Sequence, residues 1–250
     1  MKINKSFIVN NKFLFIGVAI VIIMLSTGSL FFYFKNKKLD DFSHAYTEYK
    51  NAEWESSVNS YVPMVDFSKD ECTSSMCGKD NFYSSLNKAL DFHASAESRV
   101  ENSNLAILYY SKFNKKAVDA FSVSNGDLNT KVQKLIETAN SITDEDNKKI
   151  ALKIANEARL TQNDYDNLYS NEYDQFSAKL SFLDDLIKNN GEIVNYSNLS
   201  DISSKVVNLK SKNDDLEQEI TNYKKDIQDN FSALKGKTDL KEYPSKYDQK

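Results

Sequence analysis

Apolar residues recur every three or four positions along most of the chain after residue 38, which is the period of one face of an α-helix. The series begins with Leu39, Phe42, Tyr46 and Tyr49. Glycine (6 residues) and proline (2 residues) are too scarce for the frequent turns of a β-sandwich or barrel. The pattern therefore predicts an all-α protein with few, long helices.

One stretch, residues 13–34, is apolar all round instead of along one face. No charged residue lies between Lys12 and Lys35, and 22 residues at about 1.5 Å each span roughly 33 Å, the thickness of a hydrocarbon core. A signal peptide cleaved near Ser26 would leave an apolar stub on the mature chain, so an uncleaved anchor is favoured. The sequence predicts a short cytoplasmic N-terminus (1–12) followed by one transmembrane helix.

The orientation of this anchor depends on the two cysteines. Three lysines precede the span and three follow it, so the positive-inside rule does not set its direction. Cys72 and Cys77 lie in one loop-like stretch, 68–79, where an even number of cysteines indicates a disulfide and hence an oxidising compartment. Two separate thiols in a cytosolic domain are the alternative. We expect residues 35–236 to form an extracytoplasmic helical domain on the inner or plasma membrane.

Within this domain, polar and glycine-containing clusters mark the predicted helix ends. Thr143–Asp146 is typical of a helix N-terminus and Asn189–Gly191 of a helix C-terminus. Ser124–Asp127, which contains Gly126, predicts a turn. Beyond Gly236 the polar residues 237–250 predict a disordered tail. The arrangement indicates an elongated helical bundle or hairpin.

The last helical segment, 199–234, has a seven-residue period typical of a coiled coil. Apolar residues occupy most a and d positions, and Asn213 is a polar residue at an a position, where it commonly fixes the register. One interpretation is self-association through this helix. The other is packing within the chain against the helix that ends at Lys188, because the intervening turn is short.

Tyr165, Tyr169 and Tyr173 follow one another at four-residue steps and form an aromatic stripe with Phe176. Exposed tyrosines anchor protein partners well, so these three and Asn213 are the candidate interaction residues. Core packing is the competing interpretation of the same stripe.

Candidate chemistry is sparse. The chain has two histidines, no phosphate-binding glycine loop and no nucleophile motif, so we expect no catalytic residue, no metal site and no cofactor. Since 6 of the 32 basic residues precede Asp40, the chain from Asp40 onward holds 26 basic and all 36 acidic residues, and this acidic excess disfavours nucleic-acid binding.

These observations lead to one functional hypothesis and two alternatives. The hypothesis is a non-enzymatic, single-pass scaffold or protein-interaction module of the cell envelope, which binds another envelope protein or itself. The first alternative is an accessory ligand-sensing helical ectodomain. The second, for the reverse topology, is a cytoplasm-facing division or secretion scaffold.

Overall fold

A computed structural model of the protein describes residues 33–58, 79–91, 93–194, 196–238 and 240–247. All regular secondary structure in these ranges is α-helical, which confirms the all-α prediction for them. The helices are α1 (33–58), α2 (Lys79–Ala89), α3 (Ala96–Ser141), α4 (Glu145–Lys188) and α5 (Tyr196–Lys237).

Three long helices set the length of the fold. α3, α4 and α5 have 46, 44 and 42 residues, which at about 1.5 Å per residue corresponds to roughly 69, 66 and 63 Å. They run up, down and up, and α4 packs against both α3 and α5. Two shorter helices together take the place of a fourth long helix. α1 packs beside the start of α4, and α2 packs beside its end.

Two hydrophobic cores follow this division. The larger core joins α1, the second half of α3, the first half of α4 and the second half of α5, and its fully buried side chains include Phe42, Leu135, Ile154 and Leu234. The smaller core joins α2 to the opposite halves of α3 and α4. Because each half of the bundle buries its own apolar stripe, both halves are stabilised by packing as well as by helix propensity.

The end of the bundle that holds the start of α1 is the proximal end. There Asp144 caps α4 by accepting a hydrogen bond from the Asn147 backbone N–H (3.1 Å), as the sequence predicts, and its other carboxylate oxygen lies 3.0 Å from Lys35 Nζ. This ion pair joins α1 to the connection between α3 and α4.

At the opposite, distal end, a left-handed turn connects α4 to α5, as predicted. Asn190 (φ 51°) and Gly191 (φ 81°) both have positive φ, and the Gly191 N–H donates to the Leu186 carbonyl over 2.7 Å. Arg99 Nε donates to the Gly191 carbonyl over 2.8 Å, so α3 holds the turn in place.

The predicted turn around Gly126 is wrong, because α3 passes through it without interruption. Phe121 and Leu128 on either side are buried, and Asn125 donates to Asp166 of α4 over 2.6 Å. Packing of both flanks against α4 therefore outweighs the helix penalty of one glycine, about 1 kcal/mol.

Two predictions fall on other parts of the chain. The predicted anchor lies outside the described residues except for Tyr33 and Phe34, which already belong to α1, and the predicted Cys72–Cys77 disulfide lies entirely outside them. Among the residues that the structure describes, no helix is both long and apolar enough to cross a membrane.

After α5 the chain turns back along α1, where the sequence predicts a disordered tail. Residues 240–247, here called the strap, take an extended course over the outer face of α1. Ser43 Oγ donates to the Lys241 carbonyl, and Thr47 Oγ1 donates to the Tyr243 carbonyl over 3.2 Å.

The strap continues in the direction of α1 for about two more helical turns, from Thr47 to Trp54. Ser245 Oγ donates to Asn51 Oδ1 over 2.7 Å, and the rings of Tyr247 and Trp54 stack with centroids 4.0 Å apart. Ser43, Thr47 and Asn51 follow one another at four-residue steps on α1, and each is hydrogen-bonded to the strap. This face of α1 is therefore complementary to the segment.

Candidate functional site

A polar cluster is built into the larger core between α1, α4 and α5. Glu53 of α1 is only 8% exposed, accepts a hydrogen bond from Tyr165 Oη of α4, and lies 2.8 Å from Lys224 Nζ of α5. One carboxylate thus joins three helices. These two donors offset the free-energy cost of removing the carboxylate from water, which would be large for an unpaired buried carboxylate.

Tyr165 is 2% exposed. Its ring belongs to the core and its hydroxyl is engaged by Glu53, so the side chain has no surface to offer a partner. Nearby, burial raises the pKa of Tyr49 well above its usual range, and the charge of Glu53 acts in the same direction. The Tyr49 phenol therefore stays protonated over the whole physiological pH range.

A groove opens beside this cluster, between α1 and α5, with a volume of about 490 Å³. We call it the α1–α5 groove. Tyr46 and Phe231 line it, and their rings stack with centroids 4.0 Å apart. Tyr49 and Ile227 border the groove as well, although both are almost fully buried. The volume lies within the range of about 300–1,000 Å³ that is typical of small-molecule sites.

Charged side chains surround the aromatic part of the groove. Its lining includes four lysines and two glutamates, namely Lys50, Lys224, Lys225, Lys235, Glu53 and Glu242. Each glutamate is paired with a lysine of α5, Glu53 with Lys224 and Glu242 with Lys235. The lining is therefore net positive, whereas the chain from Asp40 onward is net negative.

The strap closes one side of this groove. Glu242 is a strap residue, and its ion pair with Lys235 connects the strap to α5. The same segment is bound to α1 on its other side through Thr47 and Asn51. The strap thus bridges the two helices that form the walls.

A second, polar groove of about 640 Å³ lies between α3 and α4 and includes the predicted residue Tyr169. The Tyr169 ring stacks on Phe121 with centroids 3.9 Å apart. Asp166 accepts hydrogen bonds from the amides of Asn125 (2.6 Å) and Gln162 (3.1 Å), and burial raises its pKa. The hydrogen bond from Asn125 joins α3 to α4, whereas the one from Gln162 lies within α4.

The third predicted tyrosine differs from the other two. Tyr173 is 40% exposed, one turn beyond Tyr169. The tyrosine stripe therefore passes from the core at Tyr165 through the helix interface at Tyr169 to the surface at Tyr173, which is the most exposed of the three.

Asn213 lies in the seam between α4 and α5. It is 5% exposed, and its side-chain amide donates to Glu172 Oε1 of α4 over 2.7 Å. The heptad stripe of α5 faces the same seam, with Ile220, Ile227 and Leu234 buried. In this structure α5 packs within its own chain, in the hairpin that the short turn permits.

The sequence pattern did not reveal the α1–α5 groove. Its lining comes from segments nearly 200 residues apart, and the lysines of α5 fall on positions that a heptad pattern assigns to solvent. A weak signal was present in α5, where Lys224 and Lys225 follow Thr221, because the rest of the domain has an acidic excess.

Within the ranges that the structure describes, no group of three or more His, Cys, Asp or Glu side chains is arranged to hold a metal ion. Comparison of the chain with known protein families, with curated proteins and with solved structures finds no match.

Proposed function

We propose that the chain is a single-pass, membrane-anchored helical scaffold that presents an interaction surface at a fixed place in the cell envelope, without catalysing a reaction. One observation carries this proposal. Residues 33 and 34, the last two of the predicted anchor, are already part of α1, and α1 is a core helix of the bundle.

The start of α1 has the features of a helix that leaves a bilayer. Tyr33 and Phe34 are 63% and 56% exposed, although both are large aromatic residues, and Lys35, Lys37 and Lys38 follow them. Aromatic and lysine side chains in this order are typical of the membrane–water interface. This supports an anchor that continues into α1 without a flexible linker.

A helix shared between bilayer and core would fix the bundle relative to the membrane. Lys35 joins α1 to Asp144 at the proximal end, and Leu39, Phe42 and Tyr49 bury α1 in the core. The distal end would then lie up to about 66 Å away, the length of α4. Such a rigid spacer suits a protein that positions a partner, not one that only tethers it.

The surface features support another protein as the partner more than a second copy bound through α5. The heptad face of α5 is covered by α4, as the Asn213–Glu172 contact illustrates. Apolar residues that remain exposed include Val123, Tyr173, Val194 and Val207. Val123, Tyr173 and Val207 lie on α3, α4 and α5, respectively. Val194 lies in the distal connection between α4 and α5.

The anchoring part of the proposal is tested by fractionation of cells that express the full chain. We expect the protein to resist alkaline extraction of membranes, and a variant with two aspartates in the anchor, Ile20→Asp with Ile23→Asp, to become extractable. Labelling of Cys72 and Cys77 in intact cells, with and without a reductant, reports the orientation. Ready labelling only after lysis would contradict an extracytoplasmic domain.

The scaffold part is tested by site-specific photocrosslinking in cells. A photoreactive residue at Val194 or Val207 is expected to give a discrete adduct with another envelope protein, whereas one at Asn208, an exposed polar residue of α5, is the control. Adducts at neither exposed valine would contradict a partner surface toward the distal end.

The ligand-sensing alternative is favoured by one specific observation, the α1–α5 groove. α1 forms one wall of the groove and leads directly to the predicted anchor, so a ligand bound there would contact the helix that enters the membrane.

A further inference from the structure

We propose that the α1–α5 groove is a binding site for a small organic anion with a flat, apolar body, such as an aromatic phosphate or carboxylate. The inference goes beyond the scaffold function and does not depend on it. It rests on the charge of the lining, on the aromatic surface beneath it and on the position of the strap.

The charge of the groove is opposite to that of its surroundings. Lys50 lies on the α1 wall and Lys225 on the α5 wall, in addition to Lys224 and Lys235, whose charges face Glu53 and Glu242. The chain from Asp40 onward is net negative. A concave site with a net charge of one sign and low-dielectric walls concentrates field lines and attracts ligands of the other sign.

The buried cluster gives the groove a fixed polar end. Glu53 is held by Tyr165 from below and binds Lys224 at 2.8 Å, so the Lys224 ammonium group is positioned before any ligand arrives. Positioned donors recognise an anionic group at a lower entropic cost than mobile surface lysines do.

The apolar part of the ligand would lie against the aromatic part of the lining. Tyr46 and Phe231 stack on each other in the lining, and each keeps a small exposed fraction, 8% and 5%. A further flat ring can pack against such a pair by offset stacking or edge-to-face contact. This arrangement favours a flat body over a flexible chain.

The strap would respond to such a ligand. Glu242 of the strap forms an ion pair with Lys235, so an incoming anion competes with the Glu242 carboxylate for the same ammonium group. Binding is therefore expected to weaken the contact between strap and α5 while the contacts between strap and α1 remain.

The test measures binding of phenyl phosphate to the full chain in detergent micelles by titration calorimetry. We expect saturable 1:1 binding that weakens with rising salt. The neutral phenyl β-glucoside is expected not to bind, and inorganic phosphate to bind at least about tenfold more weakly, because it lacks the apolar body. Equal affinity for phosphate and phenyl phosphate would overturn the aromatic part of the proposal.

Charge variants locate the site. Lys225→Glu is expected to weaken phenyl phosphate binding about tenfold or more, whereas Lys210→Glu, on the exposed face of the same helix, is expected to change it less than about twofold. Helical content and melting temperature show that each variant is folded, and Lys225→Gln replaces Lys225→Glu if the reversal disturbs folding. Absence of saturable binding in the unmodified chain, or equal affinities in all variants, would overturn the proposal.

Glu242→Gln isolates the role of the strap, because it removes the competing charge and keeps the segment. We expect phenyl phosphate to bind a few-fold more tightly to this variant. An unchanged or weaker affinity would overturn competition between the ligand and Glu242.

Discussion

The side-chain amide of Asn213 donates a 2.7 Å hydrogen bond to Glu172 Oε1 across the seam between α5 and α4. A polar residue at an a position can pair with its copy in a parallel dimer, but here its partner is a glutamate of the same chain. The Asn213 side-chain oxygen Oδ1 is buried and has no hydrogen-bond partner among the described residues. The polar contact therefore fixes the register of an intramolecular hairpin at some cost in stability.

A cysteine at position 213 distinguishes this hairpin from a dimer. In a chain with Cys72 and Cys77 replaced by serine, we expect Asn213→Cys to give no symmetric disulfide under mild oxidation, because α4 covers the position. The readout is the band pattern on a non-reducing gel. Ser211→Cys, which is exposed on the same helix, controls for random collision, and a dimer band confined to Asn213→Cys would contradict the hairpin.

Those parts of the fold that repeat along the chain could be predicted from the sequence, while those that depend on distant contacts could not. The heptad period placed Ile220, Ile227 and Leu234 on one buried face, because burial of a helix follows its own periodicity. The cap at Asp144 is equally local. In contrast, a glycine among polar residues occurs both in turns and in well-packed helices. The local sequence around Gly126 therefore could not show that α3 continues through it.

The strap and the α1–α5 groove illustrate the same limit for the candidate site. The strap is polar and contains Pro244, which in isolation favours disorder. Its course is set by the side chains of Ser43, Thr47 and Asn51, which are almost 200 residues away in the sequence. Polar complementarity between such distant segments leaves no periodic trace, unlike apolar burial.

Three carboxyl groups of α4 that face α5 predict how stability depends on pH. Burial raises the pKa of Glu157, Asp164 and Glu172, and in each case it is the largest effect. The neighbouring charges are mixed: Lys153 and Asp226 at Glu157, Glu219 at Asp164, and Lys179 and Glu217 at Glu172. The folded protein thus binds these three protons more tightly than the unfolded chain does.

The stability that these groups contribute is fully present below their unfolded pKa, about 4, and is lost as the pH rises through the raised folded values. We therefore expect the melting temperature of the full chain to increase as the pH falls from 7.5 to about 5. Below about pH 4 the sign reverses, because Asp144 and Glu55 have lowered pKa values and lose their contacts with Lys35 and Lys246.

Glutamine at position 172 tests this assignment. Glu172→Gln is expected to raise the melting temperature at pH 7.5 more than at pH 5, and so to flatten the pH profile. Asp174→Asn, an exposed acid on the same helix, serves as the control and should leave the slope unchanged. A steeper profile in Glu172→Gln would show that Glu172 is not among the groups responsible.

Loss of the hydroxyl at position 165 should reveal the importance of the polar cluster. Tyr165→Phe removes a donor from the nearly buried Glu53 and is expected to lower the free energy of unfolding by about 1.5–3 kcal/mol, the usual range for a hydrogen bond to a charged group. Tyr173→Phe, at the exposed end of the same stripe, should cost much less. Chemical denaturation of both variants measures the difference, and equal effects would place the two hydroxyls in equivalent environments.

Removal of residues 239–250 tests whether the strap is part of the folded domain. The deletion takes away Leu240, which is buried in the larger core, and burial of a leucine side chain contributes roughly 1.5–3 kcal/mol. We expect a loss of stability in this range. Hydrogen exchange should also accelerate in residues 40–55 of α1 relative to α3, and unchanged exchange there would mean that the strap does not protect α1.

Two glycines, one within α3 and one in the turn between α4 and α5, predict substitutions of opposite sign. A Cβ at Gly126 would meet no atom within 4 Å, and the helical backbone suits alanine, so Gly126→Ala is expected to stabilise the protein by about 0.4–1 kcal/mol. A Cβ at Gly191 would lie 2.1 Å from the backbone oxygen of Ala96, at a φ of 81°. Because the close atoms belong to the α3 backbone and the left-handed φ disfavours alanine, Gly191→Ala should destabilise by more than about 2 kcal/mol. Thermal unfolding of the two variants side by side measures both effects, and a stabilising Gly191→Ala would mean that the distal turn is free to rearrange.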